Sequence, residues 1–311
     1  MRTRCATGLF ALIAALSVVG CQKQATGTPA GKAAPADPWA KPEAKQDPLP
    51  RPLFFKIEKD GKTSYALGTF HTGVDAETRL PGSIWKRLDA APAFAMETDI
   101  TDRSLAADLA NRSDGKTLHD DLGDAYWHKL EAALTPKVAA RVNAMKPTIA
   151  ATMLALRGLP QTPPMDGVLL GHAQNEHKPI AYLEPGSVQV AALVKWMDVR
   201  ALEEMLDDLS WGEQMQKDML AAYIAGDDQK ILALSASEKT EWKKFGRSDA
   251  EYDQMMEDML YHRNASWIAR IEQLHADGGA FIAVGAMHLI GPRSVLDLLA
   301  QKGYRVTRVA P

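Results

Sequence analysis

The chain has 311 residues, 46% of them apolar and 24% charged, with 36 basic against 39 acidic side chains and a net charge of −3. That balance has no basic stripe to offset it, so it argues against nucleic acid as a partner; the apolar content is ample for one substantial core. Two cysteines, Cys5 and Cys21, are too few for a disulfide framework or a cysteine-rich zinc site.

Arg2 and Arg4 precede an apolar run from Gly8 to Val19, and a small residue, Gly20, stands before Cys21. This reads as a secretory leader, since a run of about 12 residues is well short of the roughly 20 that span a bilayer. Val18-Val19-Gly20-Cys21 resembles a lipobox, with residues 1–20 removed and lipid carried on Cys21. Cys5 leaves with the leader, so no free thiol remains for catalysis. Cleavage also leaves 34 basic and 39 acidic residues, a charge of about −5, so membrane attachment rests on lipid and not on charge. Gln22, by resemblance to other lipoproteins, suggests the outer membrane, with the body facing the periplasm. Residues 22–50 carry six prolines (29, 35, 38, 42, 48 and 50) among Ala, Lys, Gly and Gln, which makes residues 21–50 a tether with a reach of roughly 30 Å or more. Residues 51–311 then form a single domain.

Periodicity and breakers predict six strands in that domain. Phe54 to Ile57 and Thr63 to Leu67 flank Asp60-Gly61, a hairpin signal. Ala93 to Met96, Pro179 to Leu183, Phe281 to Val284 and Tyr304 to Val309 follow. Helices are predicted from Thr135-Pro136, with the threonine as cap, and from Lys146-Pro147, then over Asp166 to Glu176, Gly186 to Arg200, Ala201 to Gly226 and Pro292 to Lys302. Met215, Met219, Met255, Met256 and Met259 fall in or near apolar stripes and read as packing. The expected architecture is α/β or α+β, a central sheet with a large helical insertion.

Four of the strands end alike, with an apolar run followed by a residue fit for metal binding or proton transfer. Gly68-Thr69-Phe70-His71 follows one, Glu97 a second, Glu184 a third, and Gly285-Ala286-Met287-His288 a fourth. If these strands are parallel neighbours, their C-terminal ends gather His71, Glu97, Glu184 and His288 at the rim where open α/β sheets bind ligands. Two imidazoles and a carboxylate suit zinc, manganese or cobalt, and a second carboxylate can take a proton from an attacking water. The glycine opening each Gly-x-x-His is expected to let the backbone turn sharply. Arg263-Asn264 adds a candidate: the arginine either stabilises an oxyanion or pairs with an acid such as Asp258. His119, His128, His172, His177, His262 and His275 read as surface or boundary residues. No Gly-x-Ser-x-Gly, His-Glu-x-x-His, Gly-x-x-x-x-Gly-Lys or Gly-x-Gly-x-x-Gly is present, which argues against serine hydrolase, zincin, nucleotidase and dinucleotide chemistry.

Leu67-Gly68-Thr69-Phe70-His71, Glu97-Thr98-Asp99, Lys178-Pro179-Ile180 through Leu183-Glu184 with Gln189, Arg263-Asn264 with Trp267, Val284-Gly285-Ala286-Met287-His288-Leu289 and Gly303-Tyr304 together resemble the TraB/GumN family. The likeness spans nearly all of residues 51–311. That family is related to the Tiki proteins, divalent-metal peptidases with paired Gly-x-x-His motifs, and more remotely to erythromycin esterases and a haem-binding group. The resemblance implies that His71, His288 and Glu97 hold a metal, with Glu97, Glu184, Arg263 and Asn264 as catalytic residues, and His262 stands where many relatives carry an acid. The reading is a membrane-tethered metal-dependent hydrolase of peptide or protein substrates. A metal-free esterase-like hydrolase and a non-catalytic peptide-binding lipoprotein are the alternatives.

Overall fold

A computed structural model describes residues 47–310; the leader, Cys21 and nearly all of the tether lie outside them. Six strands form one sheet: β1 (Phe54–Lys59), β2 (Lys62–Thr69), β3 (Phe94–Met96), β4 (Ile180–Tyr182), β5 (Phe281–Gly285) and β6 (Arg305–Arg308). All six occur where the alternation predicts them. Asp60 and Gly61, both with positive φ, turn β1 into β2 in antiparallel register.

The order is β4-β3-β5-β2-β1-β6. β2 runs parallel to β5, and β3 runs parallel to both β5 and β4, so four adjacent strands share a direction. β1 and β6 close one edge antiparallel. β5 lies in the middle of the parallel set and is buried along its whole length, as a strand covered on both faces must be. Phe281 and Ala283 point into the larger core, and Ile282 and Val284 into a smaller one packed by Trp267, Ile268 and Ile271 of one helix and Val295 and Leu299 of another.

The crossovers β3 to β4 and β4 to β5 hold most of the helices, so the helical insertion is two excursions from one sheet edge. Helix Met165–Asn175 leads into β4, and helix His262–Ala276 into β5. Two expectations fail locally. Thr135 has φ +74° and its side chain caps nothing; it joins two helices by turning the backbone. The run from Gly186 to Gly226 is three helices, Gly186–Trp196, Val199–Asp207 and Leu209–Ala225, because Asp198 and Asp208 each cap a new start with their side chains. The five methionines are buried, as packing requires. Leu49, at the end of the predicted tether, is 1% exposed and its N–H donates to Arg79 O, so the folded body includes it. No helix among the described residues is long and apolar enough to cross a membrane.

Candidate functional site

The parallel strands bring the four predicted rim residues together. His71 leaves β2, Glu97 follows β3, Glu184 follows β4, and His288 ends a 3-10 turn after β5. Glu97, Glu184 and His288 are buried, and the His71 side chain is 11% exposed.

Each histidine is held from behind. His71 Nδ1 meets Asp166 Oδ2, while Asp166 Oδ1 accepts the Thr69 hydroxyl at 2.9 Å. His288 Nδ1 lies 2.6 Å from Asn264 Oδ1, and Asn264 Nδ2 donates to Arg293 O at 3.0 Å. The amide of Asn264 is thereby oriented with its oxygen toward the ring, so His288 carries its proton on Nδ1. His288 Nε2 is 3.7 Å from Glu97 Oε1, and His71 Nε2 borders the same space, since a Cβ placed on Gly285 would lie 2.9 Å from His71 Nε2 and 3.3 Å from Glu97 Oε1. A ring whose second nitrogen is fixed by a carboxylate or amide is the usual outer arrangement of a metal-binding histidine.

Glu97 is the hub. Its Oε1 accepts the Gly285 N–H at 2.8 Å, and its Oε2 accepts Gln189 Nε2 at 3.1 Å and Arg263 Nη2 at 2.8 Å. Arg263 also donates through Nε and Nη2 to Glu184 Oε1, at 2.9 and 2.6 Å, and through Nη1 to Met259 O. Glu184 Oε2 takes the Trp267 indole N–H at 3.0 Å, and the Trp267 ring lies 4.4 Å from that of His288. Arg263 is therefore committed to two glutamates. Asp258, the acid suggested for it, instead binds Lys195 and Trp196.

Burial alone would raise Glu97, but His288, Arg263 and His71 around it, with the Gly285 N–H, hold it down to about 2. Burial draws His288 down to about 3, so it is neutral at pH 7 and Arg263 is then the standing cation beside Glu97. Burial also lowers His71, yet Asp166 and Glu97 outweigh it and leave that ring raised. Glu184 is raised by burial in spite of Arg263.

The glycines act differently from the expectation. Neither Gly68 nor Gly285 has positive φ; both are needed for space. A Cβ on Gly68 would meet Ala286 Cα at 3.0 Å and Leu53 Cβ at 3.2 Å, so the two Gly-x-x-His segments pack directly on each other. A further correction concerns His275, expected near the surface. It is buried, bonded to Ser64 Oγ at 2.9 Å and to Lys59 O at 3.1 Å, at the opposite end of the sheet. The other five histidines set aside in the sequence are exposed or half-buried, His262 among them. Asp166 escaped the sequence reading, because an acid in the first turn of a helix is ordinarily explained by the helix dipole.

A profile of the TraB/PrgY/gumN family matches residues 53–308. The chain belongs to the TraB/PrgY/gumN family. Among curated relatives, the uncharacterized protein YbaP of Shigella flexneri is 23% identical over 247 residues, covering 76% of this chain and 87% of the relative. YbaP of Escherichia coli (strain K12), also described as uncharacterized, is 23% identical over 246 residues with the same coverage. No solved structure gives a significant match to the chain. The TraB/PrgY/gumN match contains every rim residue, from His71 to His288.

The donor set fits a divalent cation in its chemistry. Asp166, Glu97 and Glu184 give three buried carboxylates against one guanidinium, Arg263, an excess of two negative charges when His71 is neutral. His288 Nε2 and Glu97 Oε1, 3.7 Å apart, lie near the roughly 3.4 Å that two ligands keep on a tetrahedral ion with bonds of about 2.1 Å. Among the described residues no three His, Cys, Asp or Glu side chains stand at full metal-binding spacing, so closure on an ion would draw these donors inward.

Proposed function

We propose that this protein is a lipid-tethered, metal-dependent hydrolase of the cell envelope that cleaves peptide bonds in peptide or protein substrates, anchored through Cys21 in the outer membrane. The observation that carries this reading is that His288 Nε2 lies 3.7 Å from Glu97 Oε1 while His71 Nε2 and the same oxygen border one small space above Gly285, each ring fixed through Nδ1 by Asp166 or Asn264. His71, His288 and Glu97 would hold manganese, cobalt or zinc, and such an ion supplies Lewis acidity and a nucleophilic water near neutral pH.

The chain's own groups have distinct tasks. Glu97 Oε1 accepts only the Gly285 N–H, so one of its lone pairs still faces the rings and can ligate or take a proton. Asn264 fixes the tautomer of His288, and Asp166 does the same for His71. Arg263 keeps Glu97 ionised and ties it to Glu184, which makes Glu184 and Arg263 positioning residues. The test is metal content by mass spectrometry in protein purified with added manganese, cobalt or zinc. Near-stoichiometric metal is expected in the wild type and its loss in His71→Ala and His288→Ala. Full metal and full activity in either folded variant would overturn the reading.

A second reading has its own support. Glu97 already accepts from Gly285, Gln189 and Arg263, the kind of ties that hold a purely structural charge cluster. Turnover insensitive to chelators would favour a metal-free, esterase-like hydrolase, and stoichiometric peptide binding without cleavage a binding protein.

A further inference from the structure

On the β4 side of the rim a second pocket, of about 450 Å³, opens next to Glu184. It shares Thr98 with the small pocket in front of His71 and Glu97, so that residue divides the two. Thr98 is 3% exposed and its hydroxyl has no hydrogen-bond partner. Gly186 is the other wall beside it: a Cβ there would lie 2.8 Å from the Thr98 hydroxyl oxygen and 2.0 Å from Leu105 Cδ1. A buried hydroxyl left unpaired is unfavourable, and a ligand passing between the pockets would relieve it.

The rest of the lining has a definite chemistry. Asp99, Asp102 and Glu184 contribute carboxylates, Leu105 an apolar wall, and Arg270 the lining's cation. The charge of Glu184 is answered by Arg263, so Asp99 and Asp102 are set against Arg270 alone and the pocket is acidic. Asp102 uses Oδ1 locally, accepting from the Ser104 N–H and hydroxyl at 2.9 and 2.7 Å, while Asp99 accepts from Thr101 through Oδ1 and from the Tyr182 hydroxyl on the pocket wall. An apolar wall beneath an acidic mouth suits a long side chain with an aliphatic stem and a cationic head.

We propose that this pocket receives a lysine or arginine side chain of the substrate, with the Thr98 hydroxyl holding the substrate backbone where it leaves the catalytic pocket. The identity of the substrate as a peptide rests on the hydrolase reading; the pocket's preference for a cation does not.

The test uses the full chain and two fluorescent tetrapeptides, Ala-Lys-Ala-Ala and the same peptide with norleucine for lysine. Binding is read by fluorescence polarisation, and cleavage of each peptide separately by mass spectrometry. The lysine peptide should bind about fivefold more tightly or better. Asp99→Asn with Asp102→Asn should abolish that preference and keep the fold, because asparagine caps a helix as well as aspartate does. Thr98→Val should weaken both peptides about tenfold without lowering the melting temperature, since it removes an unpaired hydroxyl. Equal affinity for the two peptides, no binding of either, or wild-type affinity in Thr98→Val would overturn the proposal. Cleavage of both peptides without preference sinks the subsite and spares the hydrolase; lysine-selective binding without cleavage does the reverse.

Discussion

A methyl group at position 285 can fit only by entering the space between His71 Nε2 and Glu97 Oε1. The backbone there, φ −51° and ψ 139°, suits alanine, so the obstruction is entirely one of room. Gly285→Ala should therefore cut metal affinity at least about tenfold while leaving the thermal midpoint nearly unchanged, a pairing that calorimetric metal titration and a melting curve test together. His288 gives a second residue-level prediction, from its depressed ionisation. A folded-state value near 3 against about 6.5 unfolded means that the unfolded chain binds the extra proton first as pH falls. Its stabilising effect is complete above about 6.5 and is lost as pH falls toward 3, up to about 2 kcal/mol by pH 5. Glu97, held down to about 2, adds a further loss below about 4.5, while the raised His71 opposes both by taking up a proton in the folded state. His288→Gln should flatten urea-unfolding stability between pH 7 and 5; an unchanged slope would mean that the buried ring does not govern acid sensitivity.

At the scale of elements, the glycine of the first motif serves the sheet where that of the second serves the site. Gly68 is pressed between Ala286 Cα and Leu53 Cβ, neither of which can swing aside as a side-chain tip would. Gly68→Ala should cost about 1–3 kcal/mol and lower the melting temperature by several degrees, with metal lost only in proportion to unfolding. The sequence made β2 and β5 legible because short apolar runs end in a histidine three residues past a glycine, and parallel pairing then sets the rim residues side by side. It offered Arg263 and Asn264 as candidates, with Asp258 as a possible partner of the arginine, and did not show whom they touch. The five residues Glu257–Tyr261 form a π-helix directly before them, and Met259 O there accepts from Arg263 Nη1. A single wide turn of that kind re-aims the following side chains and has no period that a 3.6-residue count detects. Asp166 was hidden for a different reason: its tie to Thr69 and His71 spans a crossover of about a hundred residues, a distance at which only the fold makes neighbours.

For the whole molecule, the tether and the folded body should be separable, and Leu49 marks where the division lies. Its side chain is buried in the larger core and its N–H is bonded to Arg79 O, although proline-rich composition continues through Pro50. Removing a buried leucine sacrifices about 1.5–3 kcal/mol of transfer free energy. A chain that starts at Asp47 should then melt several degrees above one that starts at Arg51, with equal metal content in the two if the site is intact. On the lipoprotein reading, the chain that starts at Asp47, which lacks the leader and Cys21, should fractionate as soluble where the full chain stays with the membrane. A chain from Asp47 that stays with the membrane would locate attachment in the folded body, and equal melting of the two shortened chains would remove Leu49 from the core it fills.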